Sequence, residues 1–349
     1  MRPDLEKSGR MSNTRVTSAE VAQHAGVSQS AVSRVFTPGA SASKKTAEKV
    51  RKAAADLGYR PNVLARAMVS GKSRIIGLVV AYLDNQFYPE ALEKLSNELQ
   101  KRGYHVLIFM ADNAVGNVDS VLEEILDYQV EGIIAASVAM SSDLSERCRA
   151  ADVPMVLFNR NQDDPNMSSV TSDNHSGGRK VAEFLLAAGH KKIGYIAGWK
   201  GASTQRDREA GFISCLAEAG VALHSRGEGD FQMEKAAEAT RLMFAYDPPE
   251  AVFVANDHMA LAVLDTLRFE LGLRVPEDVS VVGYDDVPAA GWPAYDLTTV
   301  RQPVNRMVTN TVDILLDQVE GSASKLRRIA IAGPFIKRGS ARVPDGWAS

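Results

Sequence analysis

Polar side chains near the amino terminus are spaced so that they could contact DNA bases. If residues 28–36, SQSAVSRVF, form a helix, Val32 and its apolar neighbours share one face and leave the polar residues on the other. The polar residues of that helix are Gln29, Ser30, Ser33 and Arg34. Glutamine can form two hydrogen bonds with adenine, and arginine can do so with guanine or hold a phosphate. The segment is therefore either a DNA-reading helix or an ordinary part of a three-helix core.

A second set of polar and aromatic residues follows apolar segments that read as strands. Amide, carboxylate and guanidinium groups can bind neighbouring hydroxyls in pairs, and an aromatic ring can cover the apolar face of a sugar. The set consists of Asp84, Asn85, Phe87, Tyr88, Asn159, Arg160, Asn256, Asp257 and Asp285, together with Arg206 early in a predicted helix. Three alternatives stay open: Asp257 could cap a helix, Asp84 could be a charge at the crevice rim, and Phe87 and Tyr88 could be core residues.

The sequence lacks the motifs of common catalytic and metal sites. It has no Gly-x-Ser-x-Gly elbow, no Gly-x-Gly-x-x-Gly after the first strand and no paired histidines at metal-binding spacing. The segment SGKS at 70–73 resembles the end of a phosphate-binding loop, but Arg66 stands where that loop requires its first glycine. We therefore expect no enzyme activity, no cofactor and no metal.

Length and charge indicate a soluble protein with a separate basic head. The 349 residues suggest two or three domains, and no apolar run is long enough to span a membrane. With only Cys148 and Cys215 and no apolar leader, the natural compartment is the reducing cytoplasm. Residues 1–74 carry a net charge of +9 and the remainder −12, which is typical of a polyanion-binding module joined to a larger body.

Capping signals predict three short helices in the head. Thr17 and Glu20 form a capping box, Gly26 ends the first helix, and Ser28 and Ser43 can cap the second and third. Two short helices joined by a tight glycine turn are typical of a helix-turn-helix motif.

From residue 74, apolar strands alternate with amphipathic helices in two successive series. Such alternation predicts parallel sheets covered on both faces. The fold class is therefore an all-α helix-turn-helix head plus an α/β body of two doubly wound parallel-sheet lobes. Since ligands bind beyond the carboxyl ends of parallel strands, the polar strand-end residues should line one crevice.

Several long segments resemble the LacI/GalR family of bacterial transcriptional regulators. They include VTSAEVAQHAGVSQSAVSRVF in the head, and SDNHSGGRKVAEFLLAAGHKKIGYIAG, QRDREAGF, ANDHMALAVLDTL and VPEDVSVVGYDD in the body. The matches extend from about residue 16 to about residue 340. The resemblance implies a body like that of the periplasmic sugar-binding proteins, with a small ligand between two lobes.

The resemblance also implies a domain organisation. A flexible extension spans 1–15, the DNA-binding domain 16–60, a hinge helix or linker 61–73, the effector-binding and dimerisation domain 74–340, and a tail 341–349. Within the body, the N-lobe comprises about 74–172 and 303–331, and the C-lobe about 173–302 and 332–340.

For DNA, the resemblance implies that Gln29 and Ser30 choose bases and that Arg34 supports them. The further DNA contacts expected are Thr17, Ser28, Ser33, Asn62, Ala65 and Met68. Met68 stands where the family usually has a leucine wedge for the minor groove, and methionine is a softer wedge. The hinge is too short to be a stable helix alone, so it should order only when two copies pair on DNA.

For the effector, the resemblance favours Arg206, Asn256 and Asp285 as direct contacts. This sequence also departs from the common pattern, because Trp199 and Trp292 are unusual and could either stack on a ligand or be structural. The expected partners are operator DNA, a second copy of the chain, and a sugar, sugar acid or sugar phosphate, with no membrane.

The overall expectation is a cytoplasmic, nucleoid-associated repressor of a carbohydrate or related catabolic operon. It would bind a palindromic operator as a dimer under allosteric control by an effector. The alternative is a cytoplasmic small-molecule-binding protein without a DNA role. A sugar-transport protein is disfavoured by the basic head.

Overall fold

The chain forms an amino-terminal helical unit and a larger α/β body. The computed structural model describes residues 16–37, 40–60, 72–81, 83–111, 117–138, 142–162, 166–321 and 326–347. The division between the two units falls between Ser73 and Arg74. Each unit is described by itself below.

Three helices make up the described part of the amino-terminal unit, and their caps are those that the sequence predicts. The helices are α1 (Ser18–Ala25), α2 (Gln29–Phe36) and α3 (Lys44–Asp56). Thr17 and Glu20 close the capping box of α1, and Gly26 ends that helix with a φ of 63°. Ser28 and Ser43 accept hydrogen bonds from the first turns of α2 and α3.

A small apolar core holds these helices together. Val21, Val32 and Val50 contribute one buried valine from each helix, and alanines of α1 and α3 fill the spaces between them. The rings of Phe36 and Tyr59 pack at 5.9 Å between their centroids. The tight glycine turn between α1 and α2 gives the helix-turn-helix arrangement, as predicted.

The first sheet of the body, here called the N-lobe sheet, has six strands that all pair in parallel. Their order across the sheet is β11-β5-β4-β3-β1-β2. The strands are β1 (Ile75–Val80), β2 (His105–Met110), β3 (Gly132–Ala136), β4 (Met155–Phe158), β5 (Ser168–Ser172) and β11 (Arg328–Ile331).

The second sheet, the C-lobe sheet, has the order β12-β10-β9-β8-β6-β7 and is parallel except for the pair β10 and β12. Its strands are β6 (Ile193–Ala197), β7 (Ser225–Glu228), β8 (Ala251–Val254), β9 (Ser280–Asp285), β10 (Thr298–Arg301) and β12 (Phe335–Ile336). The predicted fold class of two parallel-sheet lobes is confirmed.

Amphipathic helices connect these strands. They are α4 (Phe87–Lys101), α5 (Asn117–Asp127), α6 (Ser142–Ala150), α7 (Asn174–Ala187), α8 (Ser203–Glu218), α9 (Met233–Met243), α10 (Asp257–Asp265) and α11 (Val304–Val319). Helix α10 continues into a π-helical turn at Thr266–Glu270, where the sequence predicts one continuous helix. None of the described helices has the length and apolarity that a membrane crossing requires.

The chain passes between the two sheets three times: after β5, after β10 and after β11. Helix α11 therefore follows a C-lobe strand but packs on the N-lobe strands β3, β4 and β5. Part of the predicted tail also packs on the body, since the ring of Trp347 meets that of Phe184 edge to face at 5.4 Å. An aromatic contact thus holds the end of the described chain.

Helices α7 and α8 pack unusually closely through two glycines. A Cβ atom on Gly178 would overlap the carbonyl oxygen of Arg208, and one on Gly211 would overlap that of His175. Both obstacles are backbone atoms, which side-chain rotation does not relieve. The close approach fixes where α8 lies, and with it the polar residues of its first turns.

We expect Gly211→Ala to lower the free energy of unfolding by about 1–3 kcal/mol or more, because the added methyl group forces the two helices apart. Thermal and urea unfolding of the purified protein measure the change. Ala210→Ser, at an exposed position of the same helix, should change stability by no more than about 0.5 kcal/mol. Equal stability of Gly211→Ala and the wild type would contradict the close packing.

Candidate nucleic-acid interface and ligand cleft

The outer face of α2 presents the polar residues that the sequence predicts there. Gln29, Ser30, Ser33 and Arg34 are all exposed, whereas Val32 is buried beneath them. Arg34 Nε donates to the carbonyl oxygen of Ser30, and Gln29 Nε2 donates to Ser18 Oγ at 2.9 Å. The buried valine therefore turns four polar side chains outward.

The hydroxyls of Thr17 and Ser28 take part in capping. Thr17 Oγ1 accepts from the amide of Glu20, and Ser28 Oγ accepts from that of Ala31 at 3.2 Å. Their predicted DNA contacts would thus come from residues that also fix the helix ends. The predicted hinge contacts Asn62, Ala65 and Met68 lie outside the described residues, as does the predicted extension 1–15.

Several strand ends in the body turn through a left-handed residue. Ser137 after β3 has a φ of 62°, Asn159 after β4 has 55°, and Asp285 at the end of β9 has 128°. Non-glycine residues adopt positive φ at a cost, and such strain is concentrated at functional sites. All three side chains are buried and hydrogen-bond to one of two neighbouring polar clusters.

The first cluster surrounds the carboxylate of Asp285. It accepts from Arg208 Nη2 at 3.4 Å, Gln302 Nε2 at 2.7 Å and Asn85 Nδ2 at 3.2 Å. Asn85 follows an N-lobe strand, so its bond to Asp285 joins the two lobes. Burial raises the pKa of the Asp285 carboxyl above its usual range, although Arg208 and the other donors act in the opposite direction.

Arg208 is itself held on every side. Its Nη1 donates to the carbonyl oxygen of Ala255 at 2.5 Å, and its Nε donates to Asn174 Oδ1 at 2.8 Å. The guanidinium lies over the ring of Tyr284, 3.7 Å from the ring centre. This arrangement presents a fixed charge pair, Arg208 with Asp285, at the floor of the cleft.

The second cluster surrounds Arg160. Its Nη1 donates to Thr204 Oγ1 at 2.6 Å and its Nη2 to Ser137 Oγ at 3.0 Å. The hydroxyl of Tyr88 donates to Ser137 at 2.7 Å and accepts from Asn159 Nδ2 at 3.3 Å. Thr204 lies at the start of α8 in the C-lobe, so this cluster also joins the lobes.

Three buried polar atoms of these clusters have no hydrogen-bond partner among the described residues: Asn159 Oδ1, Arg160 Nε and Gln302 Oε1. A buried polar atom without a partner costs about 1–3 kcal/mol, so such atoms require an explanation. A small polar ligand with two hydrogen-bond donors and one acceptor would provide partners for these two acceptors and one donor.

An open cavity of about 710 Å³ lies beside the second cluster. Its lining residues are Ala81, Asp84, Trp199, Asp230, Phe231, Gln232, Met233, Glu234, Lys235 and His258. The ring of Phe231 links it to the second cluster, since the Arg160 guanidinium lies 5.9 Å from the ring centre. Burial lowers the pKa of His258, which is therefore neutral near pH 7. The cavity thus combines aromatic walls with an acidic rim.

A smaller cavity of about 320 Å³ reaches Asp285 from the side of α4 and the start of α11. Phe87 and Gln302 are among its lining residues. Asp285 therefore lines this smaller cavity and is not among the residues that line the larger one.

One predicted arginine of the cleft, Arg206, must be replaced by its neighbour Arg208. Arg206 is exposed, whereas Arg208 is buried and contacts Asp285. An α-helix turns by about 100° per residue, so residues two apart point in nearly opposite directions. The prediction of Arg206 is therefore corrected: Arg208, not Arg206, is the arginine of α8 that belongs to the cluster around Asp285.

Three other predicted effector residues, Asn256, Asp257 and Phe87, have structural contacts that the sequence does not reveal. Asn256 Oδ1 caps α10 by accepting from Met259, and Asp257 is fully buried. Phe87 is a core residue whose ring stacks on that of Phe158. Trp292 is 53% exposed and lines neither of the cavities described above. Asp257 is thus corrected to a buried structural residue, Phe87 belongs to the core alternative, and the assignment of Trp292 stays a prediction.

The remaining predicted residues lie in or beside the cleft. Five of them belong to the two buried clusters: Asn85, Tyr88, Asn159, Arg160 and Asp285. Asp84 and Trp199 line the large cavity. Sequence reasoning did not identify Ser137, Thr204, Arg208, Phe231 and Gln302. Among these residues, only Arg208 could have been found from the sequence, because it lies on the inner face of a predicted helix. Among the described residues no group of three metal-binding side chains comes together.

Comparison with known proteins identifies relatives over nearly the whole chain. Residues 17–62 match the family described as "Bacterial regulatory proteins, lacI family", and residues 182–341 match the "Periplasmic binding protein-like domain". The HTH-type transcriptional repressor PurR of Photobacterium profundum is 30% identical over 330 residues, covering 93% of this chain and 98% of that protein. PurR of Haemophilus influenzae (strain PittEE) is 31% identical over 335 residues, covering 93% and 98% respectively.

Solved structures give the same result. A Lac repressor dimer bound to operator and the anti-inducer ONPF has a TM-score of 0.85 and 30% identity, covering 94% of this chain and 99% of that one. The complex of the transcriptional regulator CelR with cellobiose has a TM-score of 0.71 and 30% identity, covering 93% and 100% respectively.

The buried carboxyl of Asp257 provides a test of the cleft's electrostatics. Burial, and next the charge of Asp285, raises the pKa of Asp257 from 3.8 to about 7. The folded protein therefore holds this proton to higher pH than the unfolded chain. The resulting stability is fully present below pH 3.8 and is lost as the pH rises through about 7.

We expect the difference in unfolding free energy between the wild type and Asp257→Asn to fall by about 1.4 kcal/mol per pH unit between roughly pH 4 and 7. Asparagine can replace both bonds, because its oxygen can accept from the amide of Val287 and its nitrogen can donate to Thr299 Oγ1. Urea unfolding of both proteins across that range measures the difference. A difference independent of pH would contradict the raised pKa.

Proposed function

The chain belongs to the lacI family of bacterial regulatory proteins and is a DNA-binding transcriptional repressor rather than an enzyme. From this premise we propose that it binds a palindromic operator as a homodimer and that a small-molecule effector controls this binding. One observation carries the proposal: the same chain holds an exposed polar face on α2 and a strained, buried polar cleft with unpartnered atoms. The first reads DNA and the second binds the effector.

Helix α2 reads base edges in the major groove. Gln29 and Ser30 lie at its amino end, which is the part of a recognition helix that meets the bases. Arg34 lies one turn further and supports them or holds a phosphate. Thr17, Ser28 and Ser33 contact the DNA backbone, and Asn62, Ala65 and Met68 act in the minor groove as a hinge. The operator places the protein in the cytoplasm, on the nucleoid.

A two-fold dimer reads a palindrome because each half-site then meets an identical helix. Strand β2 supports dimer formation through the N-lobe, since it is an edge strand of that sheet. Its residues Ile108 and Met110 are 53% and 51% exposed. An unprotected apolar edge strand normally requires a cover, and a second copy of the chain provides one.

The effector is a sugar or sugar derivative. Hydrogen-bonding side chains at the cleft floor and aromatic walls at its opening are suited to a ligand with several hydroxyls and apolar ring faces. The similar regulator CelR has been solved with cellobiose. Such a ligand would favour one arrangement of the lobes and so change operator affinity by population shift. The regulated genes would belong to a carbohydrate or related catabolic operon.

We expect Gln29→Ala to weaken binding to the preferred operator by about 1–3 kcal/mol and to relax selectivity at one base pair. The operator is first selected from random duplexes with the wild-type protein, and affinities are measured at fixed salt. Gln23→Ala, an exposed glutamine of α1, should bind like the wild type. If Gln29→Ala retains full affinity and selectivity, α2 does not read bases through this residue.

We expect Arg208→Gln to lose effector binding by at least about tenfold while operator binding persists, because Asp285 loses its charged partner at the cleft floor. An effector found by thermal-shift screening is titrated calorimetrically into each variant. Arg206→Gln is the matched control and should bind like the wild type, since Arg206 is exposed. The reverse result, with Arg206→Gln impaired and Arg208→Gln normal, would contradict the corrected assignment.

A further inference from the structure

We propose that the effector carries a carboxylate and that Arg160, together with the amino end of α8, binds it. This inference rests on the proposed function, in which the effector occupies the cleft. It goes further by naming the chemical group that the cleft selects. Two features of the described residues support an anion, an uncompensated buried cation and a helix end without a side-chain cap, and a third, the charge of the cavity rim, bears on which anion fits.

The first feature is the burial of Arg160 without a counter-ion. Only 4% of the residue is exposed, and no carboxylate of the described residues forms an ion pair with it. Its two terminal nitrogens donate to neutral hydroxyls, and its Nε has no partner within the described part of the chain. A buried charge is costly unless it is paired, so the site is incomplete without an anion.

Arg208 provides the contrast within the same cleft. It is equally buried, but each of its three nitrogens donates a hydrogen bond, one of them to Asp285. The pair is neutral overall and needs no further charge. Of these two arginines, only Arg160 carries a charge that no carboxylate of the described residues neutralises.

The second feature is the start of α8. The helix has 16 residues, and its N-cap residue Ala202 offers no side-chain acceptor to the first-turn amides. A helix amino end carries a partial positive charge and binds anions readily. Arg160 donates to Thr204 in this first turn, so its charge lies close to the positive end of the helix. An anion bound near this point would be attracted by both groups.

The rest of the ligand follows from the neighbouring groups. Asn159 Oδ1 and Gln302 Oε1 are buried acceptors without a described partner, and ligand hydroxyls can donate to both. Phe231 lies beside Arg160, and Trp199 lines the same cavity as Phe231. A polyhydroxylated carbon chain that ends in a carboxylate carries groups complementary to these side chains.

The third feature is the acidic rim, which favours a singly charged group over a phosphate. Asp84, Asp230 and Glu234 line the cavity, and among the described residues only Asp230 of these three is in an ion pair, with Lys235 at 2.7 Å. The excess negative charge opposes a dianion more strongly than a monoanion. The inferred ligand class is therefore a sugar acid rather than a sugar phosphate.

The test compares matched ligands by calorimetry and thermal shift with the full-length protein. D-gluconate is paired with sorbitol, D-galactonate with galactitol, and D-glucuronate with D-glucose, while glucose 6-phosphate represents the dianion. Salt is held constant with sodium chloride. At least one acid should bind at least about tenfold more tightly than its neutral partner and than the phosphate, on the scale of one charged hydrogen bond. Arg160→Gln should abolish this preference, and Arg206→Gln should retain it.

Two results would overturn the inference: no acid outperforms its neutral partner, or Arg160→Gln weakens acid and neutral ligand alike. If neutral sugars alone change operator affinity, the carboxylate inference fails while the proposed function stands. If an acid binds selectively but operator affinity responds to neither class, the carboxylate site at Arg160 stands and the proposed control of operator binding fails.

A second measurement needs no ligand. Because Arg160 lacks a counter-ion and Arg208 has one, Arg160→Gln should leave the Tm of the ligand-free protein within about 2 °C, whereas Arg208→Gln should lower it by about 5 °C or more. An equal loss in both variants would show that Arg160 is a structural residue and overturn the inference.

Discussion

The carboxylate of Asp285 organises the cleft because it is buried where the two lobes meet. Its backbone is held at a positive φ of 128°, and its oxygens accept from Arg208, Gln302 and Asn85. These donors come from α8, from the crossing after β10 and from the loop after β1. A buried charge must keep its partners, so any motion that separates the lobes has to exchange these bonds for others. The same constraint explains why α7 and α8 meet through glycines, since Arg208 must reach the end of β9.

Because of this constraint, an effector can act by altering the hydrogen bonds that cross between the lobes. The bonds of Asn85 to Asp285 and of Arg160 to Thr204 both cross between the lobes. A ligand that binds these groups alters the balance between arrangements that keep the bonds and arrangements that break them. In a two-fold dimer such a change would alter the separation of the two hinge segments and thus of the two reading helices. The proposed control of operator binding therefore needs only bonds that the cleft already contains.

Much of the fold could be predicted because its signals are local. Caps at Thr17, Ser28 and Ser43, and apolar strands followed by amphipathic helices, depend on neighbouring residues alone. The cleft was predicted less well. The distinction between Arg206 and Arg208 depends on which helix face is buried, and the burial of Asp257 depends on Val287 and Thr299 far along the chain. Ser137 and Gln302 have common residue types at unremarkable positions, so only the assembled lobes reveal their roles.

The central claim is that ligand binding in the cleft and operator binding by α2 are coupled. Thermodynamic linkage makes that coupling measurable from the ligand side, because a ligand that changes operator affinity must bind free and operator-bound protein differently by the same factor. The decisive measurement is calorimetric titration of one cleft ligand into the protein alone and into its complex with the selected operator. The account predicts that the two ligand affinities differ by about 5- to 150-fold. Equal affinities, with the ligand in the cleft in both cases, would contradict it.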